Sequence, residues 1–235
     1  MMMPYMCKKV VCFDLDDTLY KEIDFLKSGY RKISEMVEKQ YGFDSWEIYD
    51  RLLYWFGREE NAFVNLNETY GISNPISDYL NVYRYHHPNI ALSKETTDTL
   101  DALKHRGITL AIITDGREIT QRQKIEALGL AKWISEDFIF INEEPKHFKP
   151  NRFSFNRLML HCYEQFPDSE FTYYYIGDNP LKDFLAPNQL GWNTVCLLDD
   201  GRNIHKQVFD MEKGYLPTGM IRQMNEILNI VKDGY

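Results

Sequence analysis

A short apolar run that ends in three closely spaced carboxylates is the most constraining feature of this chain. Residues 10–13 are typical of a buried strand, and Asp14, Asp16 and Asp17 follow them directly. Like charges that lie close together raise the free energy unless something neutralises them, and a divalent cation with oxygen ligands does so. Because open α/β sheets bind ligands at the carboxyl ends of their strands, the pattern predicts a metal-assisted reaction centre here.

Five short runs rich in β-branched and aromatic residues alternate with helical patterns along most of the chain. The predicted strands are residues 10–14, 109–114, 138–141, 173–176 and 194–198. Alternating strands and helices imply right-handed crossovers and a mainly parallel sheet with helices on both faces. The sequence therefore predicts an α/β fold with a Rossmann-like core.

One long interval breaks this alternation. Between about residues 21 and 88 no convincing strand pattern occurs, and several amphipathic helical stripes follow one another. An interval of roughly 70 residues is too long for a loop. The sequence predicts an inserted all-helical cap domain at residues 20–92, and a discontinuous core domain made of residues 1–19 and 93–235.

The composition narrows the classes of partner. The chain has 235 residues, of which 44% are hydrophobic and 26% charged, as in an ordinary globular protein. Its net charge of −8 disfavours a nucleic acid polymer as partner without excluding nucleotides as substrates. No segment is suited to span a membrane or to serve as a signal peptide, so we expect a cytoplasmic protein without a membrane partner. A monomer and a homodimer both remain open.

Further polar residues stand at the ends of the later predicted strands. Thr114 ends the second strand, Lys149 precedes a proline after the third, and Asp178 follows the fourth, with Asp183 close behind it. Taken singly, such residues are more often turn residues, helix caps or surface lysines. Because the carboxyl ends of parallel strands meet at one edge of a sheet, their joint occurrence predicts a single site.

This set of motifs resembles the haloacid dehalogenase superfamily of hydrolases. The four motifs of that superfamily match Asp14-Leu15-Asp16-Asp17-Thr18, then Thr114, then Lys149, and finally Gly177-Asp178 through Asp183. The likeness covers about residues 8–19 and 93–200, and the insert looks like the helical cap of the phosphatase-rich branch. The resemblance implies a hydrolase.

The resemblance also implies a catalytic role for four residues. Asp14 would be the nucleophile that forms an aspartyl-phosphate, and Asp16 would act as general acid and then as base for water. Thr114 would donate a hydrogen bond to a phosphoryl oxygen. Lys149 would neutralise charge on Asp14 and on the phosphoryl group, which is the main requirement of phosphoryl transfer.

The cofactor implied by the resemblance is Mg²⁺. Its site would comprise Asp14, the backbone carbonyl of Asp16, Asp178 and Asp183, because magnesium prefers oxygen ligands. Asp183 is expected to orient metal-bound water or Lys149 rather than to ligate the ion directly.

The leading prediction is a Mg²⁺-dependent phosphatase that acts on a small phosphorylated metabolite. A phosphomutase or a pyrophosphatase built on the same site remains an alternative. A dehalogenase and a non-catalytic protein that binds a phosphorylated metabolite are less favoured. Within the resemblance, Asp16 favours phosphatase chemistry, because the dehalogenase branch needs no acid at that position. The sequence does not indicate the physiological substrate.

Overall fold

A six-stranded parallel sheet organises the fold. The computed structural model describes residues 6–231, so the two ends of the predicted core domain, 1–5 and 232–235, lie outside the described residues. The strands are β1 (Met6–Phe13), β2 (Thr109–Asp115), β3 (Ile139–Asn142), β4 (Ser169–Gly177), β5 (Asn193–Leu197) and β6 (Gly219–Ile221). Their order is β3-β2-β1-β4-β5-β6, with every neighbouring pair parallel.

This strand order confirms the predicted fold class. The chain winds outward from β1 in one direction to β3 and in the other from β4 to β6. The direction therefore reverses between β1 and β4. In doubly wound sheets a crevice opens above the carboxyl ends of the strands at such a reversal, which makes it the expected position of a ligand.

The helices fall into two groups along the chain. Helices α1 (Glu22–Tyr41), α2 (Ser45–Gly57), α3 (Ala62–Tyr70) and α4 (Ile76–Tyr85) follow β1 without an intervening strand. Helices α5 (Lys94–His105), α6 (Glu118–Ala127), α7 (Phe153–Gln165) and α8 (Leu185–Gln189) precede or connect the remaining strands, and α9 (Ile227–Ile230) follows β6. The helical character predicted for the interval 21–88 is therefore present.

The helices α1 to α4 enclose an apolar cluster of their own. Buried members include Ile33, Leu52 and Leu66, whereas a larger cluster covers the sheet. Tyr20 and Phe25 belong to the sheet cluster although they lie in the predicted cap. The domain boundaries at 19/20 and 92/93 stay a prediction, because residues beyond position 19 still pack in the apolar cluster that covers the sheet.

Local side chains fix several helix ends. Asp44 accepts hydrogen bonds from the first N–H groups of α2, and Ser93 does so for α5. Helix α1 ends at Gly42, whose φ of 78° lies in the left-handed region that glycine adopts without steric cost. Ser93 thereby fixes the start of α5, the helix that precedes β2.

Two strands begin earlier than the apolar pattern predicts, and one strand was not predicted. β1 begins at Met6 rather than residue 10, and β4 at Ser169 rather than residue 173, because these segments pair with each other. Backbone hydrogen bonds extend the ladder through polar residues that carry no apolar signal. β6 pairs with β5 and has only three residues, too few to show a periodic pattern.

Among residues 6–231, no helix combines the length and the apolar composition that crossing a bilayer requires.

Candidate active site

The end of β1 places Asp14 at the centre of the candidate site. Its backbone N–H donates to the carbonyl of Ile176 in β4 over 2.8 Å, which holds Asp14 where the winding of the sheet reverses. The side chain is 1% exposed. The Nζ atom of Lys149 lies 2.9 Å from Oδ1 of Asp14, and that of Lys182 lies 3.6 Å from Oδ2. Burial raises the pKa of Asp14, while the charge of Lys149 opposes this increase.

Lys149 lies next to Asp14 with its side chain 0% exposed. Its Nζ atom is 2.9 Å from Oδ1 of Asp14, 2.7 Å from Oδ1 of Asp183 and 3.0 Å from the hydroxyl of Tyr175. Burial lowers the pKa of Lys149, but the carboxylates of Asp14 and Asp183 outweigh burial and raise it. The ammonium group is therefore charged and links the ends of β1 and β4. The end of β2 contributes Asp115, which accepts from the backbone N–H of Lys149 at 3.2 Å.

Asp178 follows β4 and faces the same crevice. Burial and the nearby charges of Asp183 and Asp14 raise its pKa to about 8. The amide of Asn203 donates to Oδ2 of Asp178 over 2.9 Å, and the same amide accepts from Lys21 over 2.7 Å. The loop after β5 therefore supports one side of the carboxylate.

Asp183 is completely buried and uses both carboxylate oxygens within the protein. Oδ1 accepts from Lys149, and Oδ2 accepts from the backbone N–H of Asn179 over 2.8 Å. Burial raises the pKa of Asp183, but the charges of Lys149 and Lys182 outweigh this and lower it. Asp183 therefore remains a carboxylate that orients Lys149.

Gly177 leaves the space that Asp183 occupies. A Cβ atom on Gly177 would lie 2.6 Å from Oδ2 and 2.7 Å from Cγ of Asp183. We expect Gly177→Ala to displace Asp183 and to lower the free energy of unfolding by about 1–3 kcal/mol, measured by urea denaturation. Gly57→Ala is the control, because a Cβ at Gly57 meets nothing within 4 Å. Equal stability of Gly177→Ala and the wild type would contradict this steric account.

Three carboxylates at this edge fit a divalent cation. One oxygen from each of Asp14, Asp178 and Asp183 lies within 4.8 Å of the others, and all three residues are buried. Oxygen donors of this kind suit Mg²⁺. Oδ2 of Asp14 accepts no hydrogen bond from residues 6–231, whereas both oxygens of Asp183 are engaged. Asp14 and Asp178 are therefore the better direct ligands, and Asp183 is better placed to hold metal-bound water.

The side chain of Asp16 faces helix α6 and does not join these three carboxylates. Its Oδ1 accepts from the hydroxyl of Tyr20 over 2.5 Å and from Nζ of Lys124 over 2.7 Å, and its Oδ2 accepts from Gln121 over 2.9 Å. Burial raises the pKa of Asp16, but the charge of Lys124 and these hydrogen bonds outweigh burial and lower it. Asp16 is therefore a carboxylate in this arrangement. Thr114, also buried, accepts from the same Gln121 amide over 2.7 Å.

Asp17, to which the sequence assigned no chemistry, joins three segments of the chain. Its φ of 55° lies in the left-handed region, so the chain leaves extended geometry after β1. Oδ1 accepts from the backbone N–H of Glu22 over 2.9 Å, and Oδ2 accepts from that of Ile204 over 3.1 Å. Asp17 thus anchors the start of α1 and the loop after β5.

The sequence patterns did not indicate several residues of the site, of which Lys182, Lys124 and Gln121 carried some signal. Lys182 lies between Asp178 and Asp183 in the sequence, and a lysine within that motif was itself a signal of a role in the site. Lys124 lies at a buried position of α6, and a lysine within the apolar pattern of that helix was a usable signal. Gln121 lies three positions before Lys124, on the same face of α6.

Together these features define a class of protein. It is an α/β enzyme with an acidic site and a buried lysine above the carboxyl edge of a parallel sheet, and with a helical insert after the first strand. The family model of the haloacid dehalogenase-like hydrolases matches residues 11–197, and the chain belongs to that family. The predicted family and the predicted enzyme class, a haloacid dehalogenase-like hydrolase, are confirmed.

Several known proteins resemble this chain along nearly its whole length. A glyceraldehyde 3-phosphate phosphatase of Methanocaldococcus jannaschii is 27% identical over 238 residues, covering 96% of this chain and 97% of the relative. The structure of a HAD phosphatase from Thermococcus onnurineus is 18% identical with a TM-score of 0.58, covering 96% of this chain and 98% of that one. A 2-haloacid dehalogenase from Pseudomonas syringae pv. Tomato is 20% identical with a TM-score of 0.59, covering 95% and 98%. Since a phosphatase and a dehalogenase share the fold, the fold does not separate the two reactions.

Proposed function

We propose that this chain is a Mg²⁺-dependent phosphatase that hydrolyses a small phosphorylated metabolite through an aspartyl-phosphate. The observation that carries the proposal is the setting of Asp14. It is buried, two cationic groups lie 2.9 and 3.6 Å from its two oxygens, and Oδ2 accepts no hydrogen bond within residues 6–231. A carboxylate held in this way between Lys149 and Lys182 suits attack on a phosphorus atom whose charge the same cations neutralise.

The proposed reaction has two steps. In the first, an oxygen of Asp14 attacks phosphorus, the ester bond breaks, and Asp16 donates a proton to the leaving alkoxide. In the second, Asp16 accepts a proton from water as the water attacks phosphorus and the bond to Asp14 breaks. Thr114 and Lys149 hold the phosphoryl group in line throughout.

The surroundings of Asp16 favour one of these steps. Lys124 and Gln121 hold it as a carboxylate, the form that activates water in the second step. The first step needs the protonated form, so Asp16 must loosen from Lys124 when the substrate binds.

A bound Mg²⁺ would supply positive charge to the phosphoryl oxygens. Asp14, Asp178 and the backbone carbonyl of Asp16 would hold it, with Asp183 acting through water or through Lys149. The buried carboxylates of Asp14, Asp178 and Asp183 support this assignment, because their mutual repulsion falls when a cation binds between them.

Glyceraldehyde 3-phosphate is our first proposed substrate. The support is the name of the Methanocaldococcus jannaschii relative, which aligns along nearly the whole chain. A phosphatase relative also favours ester hydrolysis over release of halide from carbon. A cytoplasmic location, the absence of a nucleic acid partner, and a monomeric or homodimeric state stay predictions.

Removal of the metal tests this function. We expect phosphate release from glyceraldehyde 3-phosphate, or from another ester in a panel of sugar phosphates, nucleoside monophosphates and phosphoglycolate. Dialysis against EDTA should lower the rate by about 100-fold or more, because the phosphoryl charge loses its main counter-charge. MgCl₂ should restore the rate, and NaCl at the same ionic strength should not.

Other products would contradict the proposal in distinguishable ways. Phosphate release at an unchanged rate after EDTA would exclude a role for the metal in the reaction. An isomeric ester without net phosphate would indicate a mutase, turnover of pyrophosphate alone a pyrophosphatase, and halide release from a 2-haloacid a dehalogenase. Binding of an ester without any product would indicate a non-catalytic protein.

A further inference from the structure

One side chain, Gln121, contacts two of the proposed catalytic groups at once. It lies in the first turn of α6 and is 1% exposed. Its Nε2 atom is 2.9 Å from Oδ2 of Asp16 and 2.7 Å from Oγ1 of Thr114. An amide nitrogen carries two hydrogens and therefore donates to both. Because the carboxylate of Asp16 only accepts, the amide nitrogen rather than the amide oxygen must face it.

The direction of these hydrogen bonds constrains what Thr114 can do. A threonine hydroxyl has a single hydrogen and accepts through its lone pairs. Since the hydroxyl of Thr114 accepts from Gln121, its own hydrogen remains for another acceptor. A phosphoryl oxygen above Asp14 is such an acceptor, so the contact with Gln121 selects the donor role that the proposed reaction requires of Thr114.

The same helix also fixes the orientation of Asp16. Gln121 holds Oδ2, and Lys124, one turn further along α6, holds Oδ1 at 2.7 Å. The side chain of Lys124 is only 5% exposed, so this ion pair is shielded from water. In this arrangement, two donors on one face of α6 therefore set the plane of the carboxylate.

We propose that Gln121 is a positioning residue of this enzyme, one that aligns the carboxylate of Asp16 and directs the hydroxyl of Thr114 toward the phosphoryl group. The inference rests on the proposed function. By contacting both groups through one nitrogen atom, Gln121 keeps the acid–base group and the phosphoryl donor at a constant separation, which near-attack geometry requires.

Two variants of Gln121 test this role. Gln121→Glu keeps the shape but places a carboxylate against Asp16 and gives the hydroxyl of Thr114 a competing acceptor. Gln121→Met removes both donors without adding charge, and it supplies the test if the Glu variant does not fold. Gln165→Glu makes the same chemical change at an exposed position on α7 and is the control. Thermal unfolding is measured for each variant.

The decisive measurement compares two esters. Glyceraldehyde 3-phosphate has an alkoxide leaving group that needs a proton, whereas p-nitrophenyl phosphate releases p-nitrophenolate, which is stable as an anion. Both esters form the same aspartyl-phosphate, so the comparison uses kcat/KM, which reports the steps up to its formation. We expect both Gln121 variants to lower kcat/KM by about 100-fold for glyceraldehyde 3-phosphate and by only about tenfold for p-nitrophenyl phosphate. Gln165→Glu should match the wild type on both esters. Equal losses of kcat/KM on the two esters, or an unchanged kcat/KM, would overturn the inference.

A double-mutant cycle with Thr114→Val tests the second part of the proposal, that Gln121 directs the hydroxyl of Thr114. If Gln121 acts on the phosphoryl group through Thr114, Gln121→Met should lower kcat/KM for p-nitrophenyl phosphate little further once Thr114 is replaced. Full additivity of the two losses would contradict the link. A wild-type protein that turns over neither ester, nor any other in the panel, would overturn the proposed function and this inference with it. An active wild type with unaffected Gln121 variants would overturn the inference alone.

Discussion

The Asp14→Asn variant is expected to release phosphate about 10⁴-fold more slowly than the wild type, because an amide oxygen is a poor nucleophile toward phosphorus. The fold should survive the change. Lys149 keeps Asp183 at 2.7 Å, and the repulsion between Asp14 and Asp178 disappears, so the free energy of unfolding should stay within about 1 kcal/mol of the wild type.

The covalent intermediate gives a direct readout of the same step. Acid quenching of the wild type during turnover, followed by mass spectrometry of the peptide that contains Asp14, should reveal a phosphoryl group on that residue. The Asn variant should show none. Asp98→Asn is the control for loss of a negative charge, because Asp98 is exposed and pairs with Lys94 on the surface of α5. Undiminished turnover by Asp14→Asn would exclude Asp14 as the nucleophile.

The fold could be predicted from local patterns because most of its strands are buried. A strand covered on both faces gives a continuous apolar run, and β2 with its run from Leu110 to Ile113 is an example. The same reasoning failed for β6, a three-residue strand with one paired neighbour. It also missed the first residues of β1 and β4, where pairing between distant segments replaces an apolar signal.

The candidate site could be predicted only in part, for a related reason. Residues at the end of a strand or directly after it, such as Thr114, Asp14 and Asp178, are brought together by the topology of a parallel sheet. The partners that set their chemical state lie elsewhere on the chain. Gln121 reaches Asp16 across 105 positions of sequence, and Asn203 reaches Asp178 across 25. Such contacts depend on how a helix or loop packs against the sheet edge, which no local pattern encodes.

Replacement of Lys149 by Met should produce the largest loss of stability. Lys149 is the buried cation that balances Asp14 and Asp183 at 2.9 and 2.7 Å. Removing one partner of a buried ion pair leaves uncompensated charge, so we expect the free energy of unfolding at pH 7 to fall by about 3–5 kcal/mol, measured by urea denaturation. Lys146→Met is the control on the same segment, because its side chain is 70% exposed and pairs with Glu144. Its expected loss is within about 0.5 kcal/mol.

The dependence of this loss on pH and on Mg²⁺ separates charge repulsion from simple loss of packing. In the wild type, the pKa of Asp178 is raised to about 8, well above the ordinary aspartate value of about 3.9 in an unfolded chain. A group of this kind binds its proton more tightly in the folded state, so its stabilising share is present at acid pH and is lost as the pH rises through about 8. Without the charge of Lys149, the pKa values of Asp14 and Asp183 should also lie above the ordinary aspartate value, so both groups should bind protons more tightly in the folded state. The deficit of Lys149→Met should therefore shrink as the pH falls from 8 to 5, and Mg²⁺ at pH 7 should raise its Tm more than that of the wild type. A deficit that is constant with pH and indifferent to Mg²⁺ would show that Lys149 acts by packing alone.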